Sequence, residues 1–222
     1  MLNFLENKDM EPKKNKINRR NFIKASGLLG AGLLVPSVNF ASSGTFAPND
    51  NIHEFGKRQG YTDQVSILVS MMDWMRSTVL RSVDGLSQKE LDFLLDDDSN
   101  TIGAMLMHLA ATERFYQIHT FEDREWGDFD KKDTDMWNVG SRLGEQARKQ
   151  IKGNPLSYYT DKLEEVREYS LKELKSRDDN WLMKSTDFFG GRPTNNYCKW
   201  FHVVEHESNH NGQIKLIKSR IS

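Results

Sequence analysis

The residues best able to do chemistry lie near the end of the chain, in the pentapeptide HESNH at residues 206–210. On a helix, two histidines four apart stand about 40° apart in azimuth and one turn apart in height, so both imidazoles reach one cation. Read literally, this is the H-E-x-x-H of zinc proteases, with Glu207 as the base that takes a proton from metal-bound water. An equally ordinary role for Glu207 is a solvated or helix-pairing carboxylate. His202 extends the series to three histidines. The outer two are about 12 Å apart along the axis, so spacing admits either His202/His206 or His206/His210 and does not choose between them.

A protease of that kind needs a third ligand well downstream and substrate-binding strands upstream. Twelve residues follow His210, and none is His, Asp or Glu, so a third protein ligand must arrive from earlier in the chain. His108 is the best candidate, because it stands among the apolar positions of another long helical pattern and a helix bundle brings such a face opposite the last helix. His119 has nearly the azimuth of His108 but lies about 16 Å further along, too far to share the ion. It is expected to be exposed or partnered in the segment that follows, and His53 is expected to be solvated. The zinc protease is therefore disfavoured. A ferritin-like di-metal site, suggested because ESNH is also Glu-x-x-His, needs a second such motif and two further glutamates. No other histidine has a glutamate three residues before it. A bundle in which the histidines merely pack is the remaining bland alternative.

The elements that must hold these residues are helical. Val65, Leu68, Val69, Met72 and Val79 recur at helical spacing after Thr62, and Asp84-Gly85 ends the pattern. Ser87 and Glu90 form a capping box for a short turn. Ile102, Met105, Leu109, Thr112 and Phe115 mark a second long helix that begins near Thr101 and carries His108. Residues 122–154 are polar and weakly periodic, which predicts a long crossover with a short helix near 141–150. A third helix follows Pro155 through Leu163, Val166, Ser170 and Leu174, its charged residues, such as Glu164 and Glu168, reading as a solvated face. FFGGRPT reads as a loop, and Thr194 or Asn195 caps the last helix. Four long helices and no convincing strand predict an all-α fold, a four-helix bundle with a long crossover between the second and third helices.

The chain has 222 residues, one cysteine and a formal net charge of −1, and its mean hydropathy is −0.69, which fits one domain of ordinary size. The N-terminal stretch joins a basic run, including Arg19-Arg20, to eleven small and apolar residues, Ala25 to Val35. Eleven residues do not span a bilayer comfortably. The paired arginines followed by NFIK resemble a twin-arginine export signal, with small residues between Ala41 and Ala47 as cleavage positions. This divides the chain into a signal peptide at 1–41, a linker at 42–60 and a helical domain at 61–222. It implies the twin-arginine translocation machinery as a partner and the periplasm as destination. Seven of the 31 Lys/Arg and three of the 32 Asp/Glu fall within residues 1–41. The remainder is acidic by five charges, which disfavours nucleic acid. Cys198, being alone, makes no intrachain disulfide and no cysteine zinc cage, and is expected to pack.

Three segments together carry a family resemblance: HLAATERFY from His108, HVVEHESNHNGQI near the C-terminus, and DWMRSTVLRSVDGLS in the first helix. Over about residues 60–220 the chain resembles the DinB-like superfamily, in particular its bacterial branch of unassigned activity. The resemblance implies the four-helix bundle with its crossover, and a divalent metal, zinc, nickel or iron, held by His108, His206 and His210, with Gly212-Gln213 following the pair. His202 is an addition to that pattern, placed beside the ligands. Three neutral imidazoles leave the ion positions for water or substrate. The expected function is an exported metal-dependent enzyme, a hydrolase or a thiol-dependent transferase acting on a small molecule. The alternative is a non-catalytic metal- or ligand-binding bundle of the cell envelope, and a homodimer is an option for either.

Overall fold

Residues 51–221 are described by the structure, a computed structural model. The export signal read at 1–41, with its cleavage positions, lies outside the described residues, as do residues 42–50 of the linker. Among the described residues no helix is long and apolar enough to cross a membrane.

Four long helices organise the chain. The first, α1 (Asp63–Val83), starts after Thr62 in extended conformation. The capping box then appears as read: Ser87 caps α2 (Gln88–Leu91), accepting from Glu90 N while Glu90 reaches back to the Ser87 backbone. The second long helix, α3 (Ile102–Thr120), is capped by Thr101, whose hydroxyl accepts from Ala104 N. The crossover holds two helices, α4 (Lys131–Arg142) and α5 (Gly144–Gln150). Only the second was expected, because KKDTDMWNVGSR is mostly polar and buries just Trp137 and Gly140. The third, α6 (Leu156–Leu174), begins after Pro155, where the missing N–H costs nothing. A short α7 (Asp179–Met183) precedes two strands, β1 (Ser185–Asp187) and β2 (Pro193–Asn195), paired antiparallel with Ser185 opposite Asn195. The expected loop at FFGGRPT is thus the tip of a hairpin, and Gly190 and Gly191 take the positive φ its turn requires. Asn195 caps the last helix, α8 (Asn196–Lys218), accepting from Cys198 N.

In space α8 packs against α1 and α3, and α6 packs against α3 and α1, while α4 lies along α3. The described chain is all-α apart from the hairpin. The apolar positions read from the sequence on α1 and α6 are buried, and two apolar clusters result. One gathers Val79, Ile102, Leu106, Leu163 and Ile214, and the other Val65, Leu68, Met72, Leu174 and Trp200. Each fully buried side chain of this size contributes about 1.5–3 kcal/mol by leaving water.

Between the two clusters the helices bury charge. Arg76 of α1, Glu113 of α3, Arg167 of α6 and Glu207 of α8 are each no more than 7% exposed. Arg76 Nη2 donates to Glu113 Oε2 and Glu207 Oε1, both at 2.7 Å. Arg167 donates through Nε to Glu113 Oε1 at 2.9 Å and through Nη2 to Glu207 Oε1 at 2.8 Å. Ser170 adds its hydroxyl to Glu113 at 2.7 Å. Burial alone would raise the Glu113 carboxyl, but the Arg167 and Arg76 guanidiniums outweigh it and hold it down at about 2. The expectation that the charges of α6 form a solvated face therefore holds for Glu168, which is exposed, and fails for Arg167. The C-terminal end of the segment read as a linker touches the helices. Arg58 donates to Ser70 Oγ and Asp73 Oδ2 at 2.9 Å each, which ties this residue to α1.

Candidate metal centre

His108, His206 and His210 come together from two helices, with one potential ligand atom of each lying within 4.8 Å of the others. The sequence leaves the α8 pair open, and the fold brings His206/His210 to His108. His202 stands one turn away, with its ring centroid 5.2 Å from that of His206 and its Nδ1 2.9 Å from Tyr116 Oη. Local structure explains the inward turn of the rings. His108 Nδ1 donates to the Gly140 carbonyl at 3.0 Å, and His210 Nδ1 donates to Gln213 Oε1 at 3.1 Å. Both bonds fix the proton on Nδ1 and leave Nε2 with its lone pair for the cluster. Gly140 is required for the first. A Cβ there would come within 2.9 Å of Met107 Cγ and 3.3 Å of the Met107 carbonyl oxygen, so a side chain would force Met107 or the α4 backbone to shift.

The donor set fits a divalent ion. His108 Nε2 and His206 Nε2 are 2.7 Å apart. With the His108 proton held on Nδ1, two nitrogens at that distance need a proton or a cation between them. Metal–nitrogen bonds of about 2.05 Å in tetrahedral geometry separate two ligand nitrogens by about 3.3 Å, so a small opening of the two rings admits the ion. Burial lowers His206 to about 3, helped by the neighbouring His108, His210 and His202 rings. Burial, and then His210, lowers His108 to about 4, and burial also lowers His210. All three imidazoles are therefore neutral at pH 7, the form that ligates. Neutral nitrogen donors of this kind suit zinc, nickel or iron without selecting one.

Beside the cluster lies a cavity of 350 Å³, walled by His108, His206, His202 and by Phe115, Tyr116, Trp126 and Phe129. The aromatic wall is continuous: Phe115 and Phe129 stack at 4.2 Å, and Trp126 meets Tyr116 edge-on at 5.1 Å. Glu207 does not line this cavity. Its Oε1 is engaged by Arg76 and Arg167, which makes it an ion-pair anchor, while its Oε2 is buried without a hydrogen-bond partner among the described residues. His119 is partnered in the crossover as expected, its Nδ1 2.8 Å from the Arg124 carbonyl, with Phe188 stacked on its ring at 4.7 Å. His53 is exposed and rests edge-on against Trp74. Cys198 is exposed, contrary to the packing role expected of it, because it falls on the outer side of the first turn of α8.

The sequence reading missed the Arg76–Glu113–Arg167–Glu207 network, although a signal exists. Each member occupies the apolar phase of its helix, as in the series Val69, Met72, Arg76, Val79, Val83, and the four charges sum to zero. It also missed Gly140, Trp126 and the hairpin. Those are brought to the site by the crossover and the α6–α8 connection, where no periodicity points to them.

Residues 67–222 match the family model described as MST, mycothiol-S-transferase. No curated protein matches the chain.

Proposed function

Since the chain belongs to the mycothiol-S-transferase family, a DinB-like one, we propose that it is a metal-dependent transferase that joins a small thiol to an electrophilic acceptor. His108, His206 and His210 hold the divalent ion in this reading. The observation that carries it is three converging neutral imidazoles, two of which, His108 and His206, stand in the wall of an aromatic cavity. When bound, such an ion lowers the pKa of a thiol it meets and so supplies thiolate at neutral pH. The S–C bond then forms as the acceptor's leaving group departs with the bonding pair, and the thiol proton goes to solvent. Phe115, Trp126 and Phe129 seat the apolar part of the acceptor and keep water from it. Tyr116, whose hydroxyl is pushed up by burial, keeps its proton. With His202 beside it, that hydroxyl offers a hydrogen bond to the leaving group. The family match is what favours thiol transfer over hydrolysis. We take the four long helices as the DinB-type four-helix bundle, with α4 and α5 in the crossover between its second and third helices.

The test uses protein purified without a histidine tag and loaded with zinc, nickel or ferrous iron. It is incubated with mycothiol or another low-molecular-weight thiol and an alkyl halide, and the thioether is measured by mass spectrometry. A metal-dependent conjugate that disappears in His206→Ala is expected. Tight metal binding without conjugate for any thiol would instead make the protein a non-catalytic metal-binding bundle. Export is part of the same reading. Replacing Arg19 and Arg20 with Lys is expected to hold the precursor in the cytoplasm, and an unchanged periplasmic yield on cell fractionation would overturn the twin-arginine route.

A further inference from the structure

A larger cavity of 710 Å³ adjoins the one at the histidines, and Tyr116 and Trp126 line both. Two groups that the transfer reading leaves unused meet in its wall, Lys199 of α8 and His119 of α3. Lys199 is 1% exposed. No ion pair among the described residues includes it, whereas the other cations of the cavity are paired, Lys184 with Asp123 and Arg124 with Asp130. Its Nζ donates to Thr186 Oγ1 of the hairpin at 2.6 Å and stands 5.2 Å from the centre of the Phe188 ring. On the same ring His119 stacks at 4.7 Å. Because a carbonyl only accepts, His119 Nδ1 is the donor to the Arg124 carbonyl at 2.8 Å. Its Nε2 therefore keeps a lone pair, and this nitrogen is buried without a hydrogen-bond partner among the described residues.

A lysine taken out of water holds its proton less firmly, and a second cation close by loosens it further. Burial, and after it the charge of Lys184, lowers the Lys199 pKa, while Asp123, which opposes them, is itself held by Lys184 at 3.5 Å. Burial lowers His119 as well, against its bond to the Arg124 carbonyl, and the charge of Lys199 adds to the lowering. The ring is thus neutral at pH 7 and senses the amine. An amine with no counter-ion and an imidazole lone pair with no donor, in one cavity wall, are the groups that capture a carbonyl compound. We propose that Lys199 is a nucleophile that binds an aldehyde covalently as an imine, with His119 Nε2 carrying protons from the nitrogen to the oxygen. The amine lone pair forms the C–N bond as the carbonyl π pair moves onto oxygen. The nitrogen gives two protons to that oxygen, which leaves as water, and the protonated imine keeps the single positive charge of the ammonium it replaces. Neither metal nor thiol enters this balance, so the site stands apart from the histidine cluster. Trp126 and Phe189 offer aromatic surface to the aldehyde's substituent, and the exposed Glu125 and Asp187 at the rim disfavour a keto acid. The carbonyl compound that suits the cavity is therefore an uncharged, aromatic one.

Benzaldehyde with cyanoborohydride at neutral pH tests this on the full, zinc-loaded chain. The reductant fixes the imine as a stable benzylamine, and peptide mass mapping locates it. Lys199 is expected to be labelled first, ahead of the exposed lysines and of Lys184, which shares the cavity but has a side chain 57% exposed. Lys199→Arg, which keeps the cation, should remove that label from a chain that still binds zinc. His119→Ala should slow the labelling of Lys199 by about 100-fold, the low end of what a positioned proton carrier contributes. Free imidazole should restore part of that rate, which the loss of a merely packed ring would not allow. A chelator should leave the labelling of Lys199 unchanged. Label on Lys184 or on the exposed lysines ahead of Lys199 in the unaltered chain overturns the proposal without need of a variant, as does a rate that shows no saturation in benzaldehyde. Labelling of Lys199 that is as fast in His119→Ala overturns the part given to His119. A chain that labels at Lys199 and forms no thioether would keep the imine site and lose the transfer reading.

Discussion

Glu113→Gln is expected to destabilise the protein by about 3–5 kcal/mol, the cost of leaving buried charge without its partner. Glu113 is fully buried and receives Arg76, Arg167 and Ser170. The amide keeps the volume but removes the negative charge, so two guanidiniums are left to share Glu207. For a domain of this size each kcal/mol is about 2–4 °C, so the midpoint of thermal unfolding should fall by about 6–20 °C. Urea denaturation at fixed metal concentration measures it. Arg167→Met in the same chain should cost less than it does alone, since the charge it removes is then already unpaired. A loss under about 1 kcal/mol for Glu113→Gln would show that the four groups relax around the change. Acid should act through the same carboxylate. Held at about 2 in the folded state, it contributes stability above the unfolded value of about 4.3, and that contribution disappears as the pH falls toward 2.

His108→Ala, His206→Ala and His210→Ala are each expected to weaken metal binding by more than about 100-fold, beyond what the loss of an outer partner costs. His202→Ala should keep the ion. His202 touches Tyr116 and stands beside His206, but does not join the three-histidine group. Metal titration of the four variants, with thermal melting in the presence and absence of a chelator, separates these outcomes. Normal binding by His210→Ala with loss in His202→Ala would move the site one turn toward the N-terminus. Proton competition follows from the same rings. His108 and His206 titrate at about 4 and 3 in the fold against about 6.5 unfolded. The unfolded chain therefore takes up protons first as the pH drops below 6.5. Stability without metal should decline across the window from 6.5 to about 3, and the bound ion should be released within it.

Much of this was readable from the sequence, for identifiable reasons. The boundaries of α1, α3, α6 and α8 follow from caps at Thr101 and Asn195, from Pro155, and from long apolar periodicities, all local signals. His108 and His206 were legible as a pair because one stands on an inward face and the other shares a helix turn with a second histidine. The choice of His210 over His202 depends on the axial offset between α3 and α8, a tertiary quantity that spacing does not contain. The burial of Lys199 has no local signal, since it depends on the hairpin that brings Thr186 to its ammonium. Glu207 was open to two readings for the same reason, since its partners Arg76 and Arg167 lie 131 and 40 residues away.

The adjacency of His206 and Glu207 also bears on how such a chain can change. The histidines can be lost one at a time with the scaffold intact, since a neutral ring takes no counter-charge with it. The arginine–carboxylate quartet has no such route. Any single exchange passes through an unpaired buried ion, while the simultaneous replacement of all four by apolar residues of similar volume can be close to neutral. Mutation by single steps therefore explores the chemistry on one side of α8 freely and leaves the other side fixed. Descendants of this fold should diverge in what their histidines hold long before they diverge in how their helices are locked together.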